Sequence, residues 1–258
     1  MSRLDGGYTA HERTDHRASF DRGGAVSGLS VARRRTRPAG DGVVGVTKRA
    51  RTRWIIPVGV IACYALFALA VHLRMLDAVD IAVRGVYGPV EVWGPLETRA
   101  DLVVKGLQPT HLALPLLLVV AVLSVLRRSL RPFAVMAVVG VPVAIVTLGT
   151  KWVMAHTRDT TPVAHGSFPS GHAVSVIVVF GLVVLLLRPG TRWGWMLPAL
   201  MGCLMGWALV VAAVHPATDV VGAVLLAVAA LGCARAAGLG QWASDPRRSR
   251  PDDDPGGV

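Results

Sequence analysis

Six apolar runs rich in Ala, Val and Leu fill most of the middle of this chain, at 54–73, 109–126, 132–154, 170–187, 193–214 and 218–237. Each is close to the roughly 20 residues that an α-helix needs to cross the hydrocarbon of a bilayer. Hydrocarbon offers peptide groups no hydrogen bonds, so a spanning segment is either a helix or a strand of a closed barrel. Barrel strands alternate apolar and polar residues, and these runs do not. The expected fold is therefore all-α: a polytopic membrane protein in which six transmembrane helices form a helical bundle over residues 54–237. A composition of 53% hydrophobic and 17% charged residues agrees. Pro57, Pro115, Pro142 and Pro198 lie inside or at the ends of the runs, where neighbouring helices can satisfy the freed carbonyls. Gly140, Gly202 and Gly206 permit close helix packing.

A net charge of +11 would point to nucleic acid in a soluble protein, but here its placement says otherwise. Arg33, Arg34, Arg35, Arg37, Lys48, Arg49, Arg51 and Arg53 precede the first run, and Arg127, Arg128 and Arg131 separate the second from the third. Arg188 and Arg192 lie between the fourth and fifth; Arg235, Arg247, Arg248 and Arg250 follow the start of the last junction. Alternate junctions are thus basic, and the positive-inside rule puts them in the cytoplasm with both termini. The expected location is a plasma membrane, crossed several times, with no nucleic-acid partner. Residues 1–53 and 238–258 are rich in Gly, Arg, Asp, Ser and Pro without an apolar period, and are expected to be disordered cytoplasmic tails. The first apolar run begins too late and runs too long for a cleaved signal peptide. Cys63, Cys203 and Cys233 all fall within apolar runs, which suits packing better than a disulfide framework or a zinc cluster.

With the termini inside, the junctions around 155–169 and 214–218 face outward, and they hold the unusual polar residues. One reads KWVMAHTRDTTPVAHGSFPSGH, the other VAAVHPATDVVGA. Topology therefore gathers Lys151, Arg158, Ser170, Gly171, His172, His215 and Asp219 at one membrane face. The apolar part of the fourth run, from Ala173 to Leu187, covers only about 22 Å at about 1.5 Å per residue. A hydrocarbon core is about 30 Å thick, so His172 should lie at headgroup depth. Ionisable groups at that depth are costly and mark function.

Ser170 suits a helix N-cap, with Gly171 leaving the backbone open, and free N–H groups at a helix start attract anions. Lys151 and Arg158 add fixed positive charge, Arg158 as a planar fork suited to phosphate. Taken singly, each has a plainer reading: a turn before a helix, or a long side chain snorkelling from a helix end. His215 and Asp219 are four residues apart, so on a helix the carboxylate can hold one ring nitrogen while the other is presented to a substrate. That is the arrangement of a nucleophile and its orienter. Two His and one Asp could also ligate a divalent ion, but two adjacent cations would repel a metal and attract a phosphate.

Jointly these pieces resemble the type 2 phosphatidic acid phosphatase family, the six-helix lipid phosphate phosphatases related to vanadium haloperoxidases. The likeness covers about residues 54–237. That family's pattern is Lys, six residues, Arg-Pro; then Pro-Ser-Gly-His; then Ser-Arg, five residues, His, three residues, Asp. Here Lys151 to Arg158 keeps the first spacing, Pro169 to His172 is unchanged, and His215 and Asp219 end the third. The resemblance implies an integral membrane phosphatase acting on a phospholipid or polyprenyl (pyro)phosphate drawn from the bilayer, without metal or other cofactor. It implies His215 as the nucleophile that becomes phosphohistidine, Asp219 as its orienter and His172 as general acid. Lys151, Arg158, Ser170 and the Gly171 N–H would hold the phosphate. Two departures stand out: Asp159 follows Arg158 in place of Pro, and Ala208 and Leu209 occupy the Ser-Arg positions. The loss of an Arg leaves a catalytically weak or silent phospholipid-binding relative, or a phosphotransferase using the same histidine, as alternatives. Arg84, Arg99 and Lys105 in the long outer segment are candidate replacements for the missing cation.

Overall fold

The computed structural model describes residues 41–87, 94–157 and 168–245. Those residues are mostly helical, with no strand among them: α1 (Asp41–His72), α2 (Asp77–Val86), α3 (Pro95–Gly106), α4 (Pro109–Leu126), α5 (Arg131–Thr157), α6 (Gly171–Leu187), α7 (Met196–Val211), α8 (Ala217–Ala236) and α9 (Leu239–Ser244). A short 3-10 turn, Trp193–Trp195, leads into α7. Five stretches are long and apolar enough to span a membrane, and α6, at 17 residues, is a shorter sixth. This is the all-α polytopic architecture expected from the apolar runs.

The boundaries differ where polar sequence continues a helix. α1 starts at Asp41 and not at residue 54: an apolar window marks only where hydrocarbon can begin, and Lys48, Arg49, Ala50 and Arg51 before it are good helix formers, whereas propensity does not account for the helix over 41–47. The segment expected to be a structureless tail from 238 contains α9. Gly238 adopts the left-handed conformation that ends α8, a conformation glycine enters at little cost. Arg131 then donates to the carbonyls of Trp242 and Asp245 and stacks over the Trp242 ring, which fastens α9 to the start of α5.

α6 is the centre of the bundle. Ten of its residues, from Ala173 to Leu186, are buried, and it packs on α4, α5, α7, α8 and α9. Side chains such as Ile55, Ile56, Leu66, Leu118, Ile145 and Leu148 on the outer helices are exposed. An aqueous surface would not carry so many large apolar groups; a lipid-facing one does. At the carboxyl end of α6, Arg127 donates to the carbonyls of Leu186 (2.8 Å) and Ala243 (3.2 Å), satisfying acceptors that a helix end leaves open. Arg127 and Arg131, expected to act as topology signals, are thus also structural clamps.

The outer segment between the first two spans is not a plain loop. It contains α2, which touches α8, and α3, which buries Ala100 and Val104 against α7. α1 is joined to α5 through the Tyr64 hydroxyl and Thr150 (3.1 Å). The Tyr64 and Phe67 rings pack on Phe168, which is buried beneath them just before α6.

Candidate active site

Local sequence fixes the mouth of α6. Ser170 is extended (φ −63°, ψ 114°) and its hydroxyl accepts the N–H of Ala173 at 3.4 Å, so it is the N-cap expected of a Ser before a helix. Its own N–H donates to the carbonyl of Asp219 at 3.1 Å, which ties this turn to the first turn of α8. Gly171 lies beside Lys151: a Cβ on Gly171 would stand 4.0 Å from Lys151 Cε. Lys151 sits near the end of α5, immediately after the Thr150 that Tyr64 binds.

His215 lies between α7 and α8, and Asp219 in the first turn of α8. Both are buried, and His215 Nδ1 is 2.9 Å from Asp219 Oδ2. A carboxylate accepts only, so Nδ1 is the donor in this contact, and in the neutral ring Nε2 keeps a lone pair. The His172 ring faces His215 edge to face, with centroids 6.1 Å apart. A cleft of about 550 Å3 between α4, α5 and α6 includes Lys151, Gly171, His172 and His215 in its wall. Apart from Thr147 and Ser175 the remaining wall is apolar, with Leu116, Val143, Leu148 and Val178 among its residues. A larger groove of about 740 Å3 beside α7 and α8 includes neither histidine.

Of the seven expected site residues, Lys151, Ser170, Gly171, His172, His215 and Asp219 come together at one end of the bundle. Arg158, with Asp159, lies outside the described residues. Leu209, at the position of the family's Arg, is fully buried, and its carbonyl accepts the N–H groups of Val214 (3.0 Å) and His215 (3.3 Å). None of the suggested substitute cations lines the cleft. Lys105 is exposed and paired with Asp101 at 2.6 Å, and Arg84 and Arg99 are exposed. Among the described residues no three His, Cys, Asp or Glu side chains cluster as metal ligands.

Sequence reasoning missed Asp80 on α2. Its carboxylate accepts the N–H of Thr218 at 3.0 Å and the Thr218 hydroxyl at 2.6 Å, from 138 positions away in the chain. The available signal was faint: a Thr beside the site Asp, after a Pro that has no side chain able to cap a helix.

Comparison with known proteins places these features in context. A family model described as the PAP2 superfamily matches residues 110–238. Among solved structures, a transmembrane PAP2-type phosphatidylglycerolphosphate phosphatase from Bacillus subtilis aligns with a TM-score of 0.56 at 18% identity, over 75% of this chain and 98% of that one. No curated protein matches the sequence. The structural likeness is one of fold.

Proposed function

Since this chain belongs to the PAP2 superfamily, we propose that it hydrolyses a lipid phosphate or pyrophosphate in the membrane through a phosphohistidine on His215. The observation that carries this reading is the 2.9 Å contact of His215 Nδ1 with Asp219 Oδ2, opposite His172 in one cleft. His215 Nε2 attacks the terminal phosphorus, the P–O bond to the leaving group breaks (the ester bond of a monophosphate, the anhydride bond of a pyrophosphate), and the leaving oxygen takes a proton from His172. Asp219 holds the ring in the reactive tautomer and stabilises the positive charge that phosphorylation leaves on it. Water then attacks the phosphorus and gives a proton to His172, a P–O bond forms as the N–P bond breaks, orthophosphate departs and His215 regains its lone pair. Lys151, Arg158, Ser170 and the Gly171 N–H hold the phosphoryl oxygens, because this transfer depends mostly on positioning and charge. No step uses a metal.

The apolar wall of the cleft suits an acyl or prenyl chain arriving sideways from the bilayer. We place the site on the outer face of a plasma membrane with both termini cytoplasmic. The support is that Arg127 and Arg131 gather at the carboxyl end of α6, opposite the site at its amino end. The burial of Leu209 favours one second reading, a weakened phosphatase that lacks a phosphate-binding cation.

The test is release of orthophosphate from dioctanoyl phosphatidic acid and from phosphatidylglycerolphosphate by the purified full chain in detergent with EDTA. Release should vanish in His215→Ala and persist at a low level in Asp219→Asn. Undiminished release from His215→Ala would remove it as nucleophile. Loss on adding EDTA alone would overturn the metal-free reaction. Lipid binding without turnover in the native chain would favour the silent relative.

A further inference from the structure

We propose that Asp80 is a positioning residue for the His215–Asp219 pair, acting as the N-terminal cap of α8 from another helix. The proposal rests on the phosphatase reading above. α8 begins at Ala217 after Pro216, whose backbone is extended (φ −63°, ψ 157°). A helix start leaves its first N–H groups without partners, and a Ser, Thr, Asp or Asn at the preceding position ordinarily accepts one of them. Pro216 has no side-chain acceptor. Asp80 supplies it from α2: one carboxylate oxygen takes the Thr218 N–H and the other takes the Thr218 hydroxyl. Both bonds have a charged acceptor, which makes them stronger than neutral ones, and the carboxylate sits at the positive end of the helix dipole.

What this cap holds matters more than the cap itself. Thr218 is buried and directly precedes Asp219. Among the contacts of Asp219, its N–H reaches the Pro216 carbonyl (3.2 Å), its carbonyl takes the Ser170 N–H (3.1 Å), and its carboxylate binds His215 (2.9 Å). The first two fix the backbone from the near side and from α6. The Asp80 pair adds a third direction, from α2. Without it the first turn of α8 has a free N–H and a buried hydroxyl lacking this acceptor. Such a turn frays readily, and the Asp219 carboxylate then loses its fixed angle to Nδ1. Small misplacements of reacting groups lower rate steeply while leaving substrate binding nearly unchanged.

The experiment compares Asp80→Ala, Asp80→Asn and Thr218→Val in the full chain, with dioctanoyl phosphatidic acid as substrate. Turnover is normalised to the active-site titre, read as acid-labile phosphate trapped on the protein. Asp80→Ala should lower turnover per active site by about tenfold or more with KM within about twofold. Asp80→Asn keeps an acceptor for the Thr218 N–H and should recover most of that loss. The double variant Asp80→Ala/Thr218→Val should be no worse than Asp80→Ala alone, because the two side chains act as one unit. A purely structural role would reduce the titre and leave turnover per site unchanged, which would overturn the proposal. So would Asp80→Asn being as impaired as Asp80→Ala, or additive losses in the double variant. If Asp80→Ala does not fold, Asp80→Asn and Thr218→Val with their double variant carry the same test. A native protein that traps no phosphate refutes the phosphohistidine reading; a native protein that traps it beside an unaffected Asp80→Ala refutes this one.

Discussion

Gly222→Ala is the sharpest test of how the site is supported. Gly222 lies one helical turn past Asp219, and its missing side chain makes room for the Phe168 ring: a methyl there would overlap Cε2 and Cζ. The ring cannot easily withdraw, because it is 1% exposed and lies against Tyr64 and Phe67 with centroids 6.2 and 6.3 Å away. Forcing an extra carbon into a filled site costs about 1–3 kcal/mol. The same exchange in an unobstructed helix stabilises by about 1 kcal/mol, since Ala loses less backbone freedom. Gly149 on α5 provides that reference, as nothing lies within 4 Å of a Cβ there. The difference between Gly222→Ala and Gly149→Ala therefore isolates the overpacking, about 1–3 kcal/mol, or roughly 2–12 °C in melting temperature for a chain of this size. Melting of both variants in detergent measures it. Turnover should fall in Gly222→Ala well below its melting point, because Phe168 leads directly into Ser170 and His172, and a displacement of about 1 Å can cost up to about 100-fold. Phe168→Leu in the Gly222→Ala background should restore part of both losses. Melting temperatures that agree within about 1 °C between the two alanine variants would refute the packing argument.

Arg127→Ala removes two hydrogen bonds from a charged donor to carbonyls at the ends of α6 and α9, and should destabilise by about 1–3 kcal/mol. Arg127→Lys, which cannot fork between them, should recover less than half in the same melt. For orientation, an impermeant maleimide applied to intact cells should label Thr98→Cys and spare Ser129→Cys in a background lacking Cys63, Cys203 and Cys233; the opposite pattern would invert the topology. Leu209→Arg puts a cation into a fully buried position, so it should melt below the native protein, yet orthophosphate should raise its melting point more than it raises the native one. Equal shifts would mean that position 209 does not face the phosphate.

What could be read from the sequence was whatever depends on local pattern. The ends of α4 at Pro109 and Leu126 follow from a Pro suited to a first helical turn and from the arginines beyond. His215 pairs with Asp219 as expected, although from the turn before α8 and not from the shared helix face that a spacing of four implied, and the cap by Ser170 follows from its place before Gly171. Features made by contact between distant segments could not be read this way. α2 and α3 are too short and too polar to register as spans, so the segment holding Asp80 read as loop. Nothing near Asp80 in the sequence indicates a partner at Thr218. Arg127 read only as a topological charge, because its acceptors are backbone carbonyls on two other helices. Leu209 was visible as a departure, but its burial depends on how the helices pack.

The length of α6 has a geometric consequence. At 17 residues it is about 26 Å long, while α5 has 27 residues and continues for six beyond Lys151, about 9 Å. A lipid-facing helix this short would have to thin the bilayer around it, but α6 is ringed by protein and has no such obligation. It can stop early. Its amino end, with Ser170, Gly171 and His172, lies beside Lys151, six residues before the end of α5. On the phosphatase reading proposed above, the depth at which this enclosed helix begins would fix how far a phosphate must stand from a chain that stays in the bilayer.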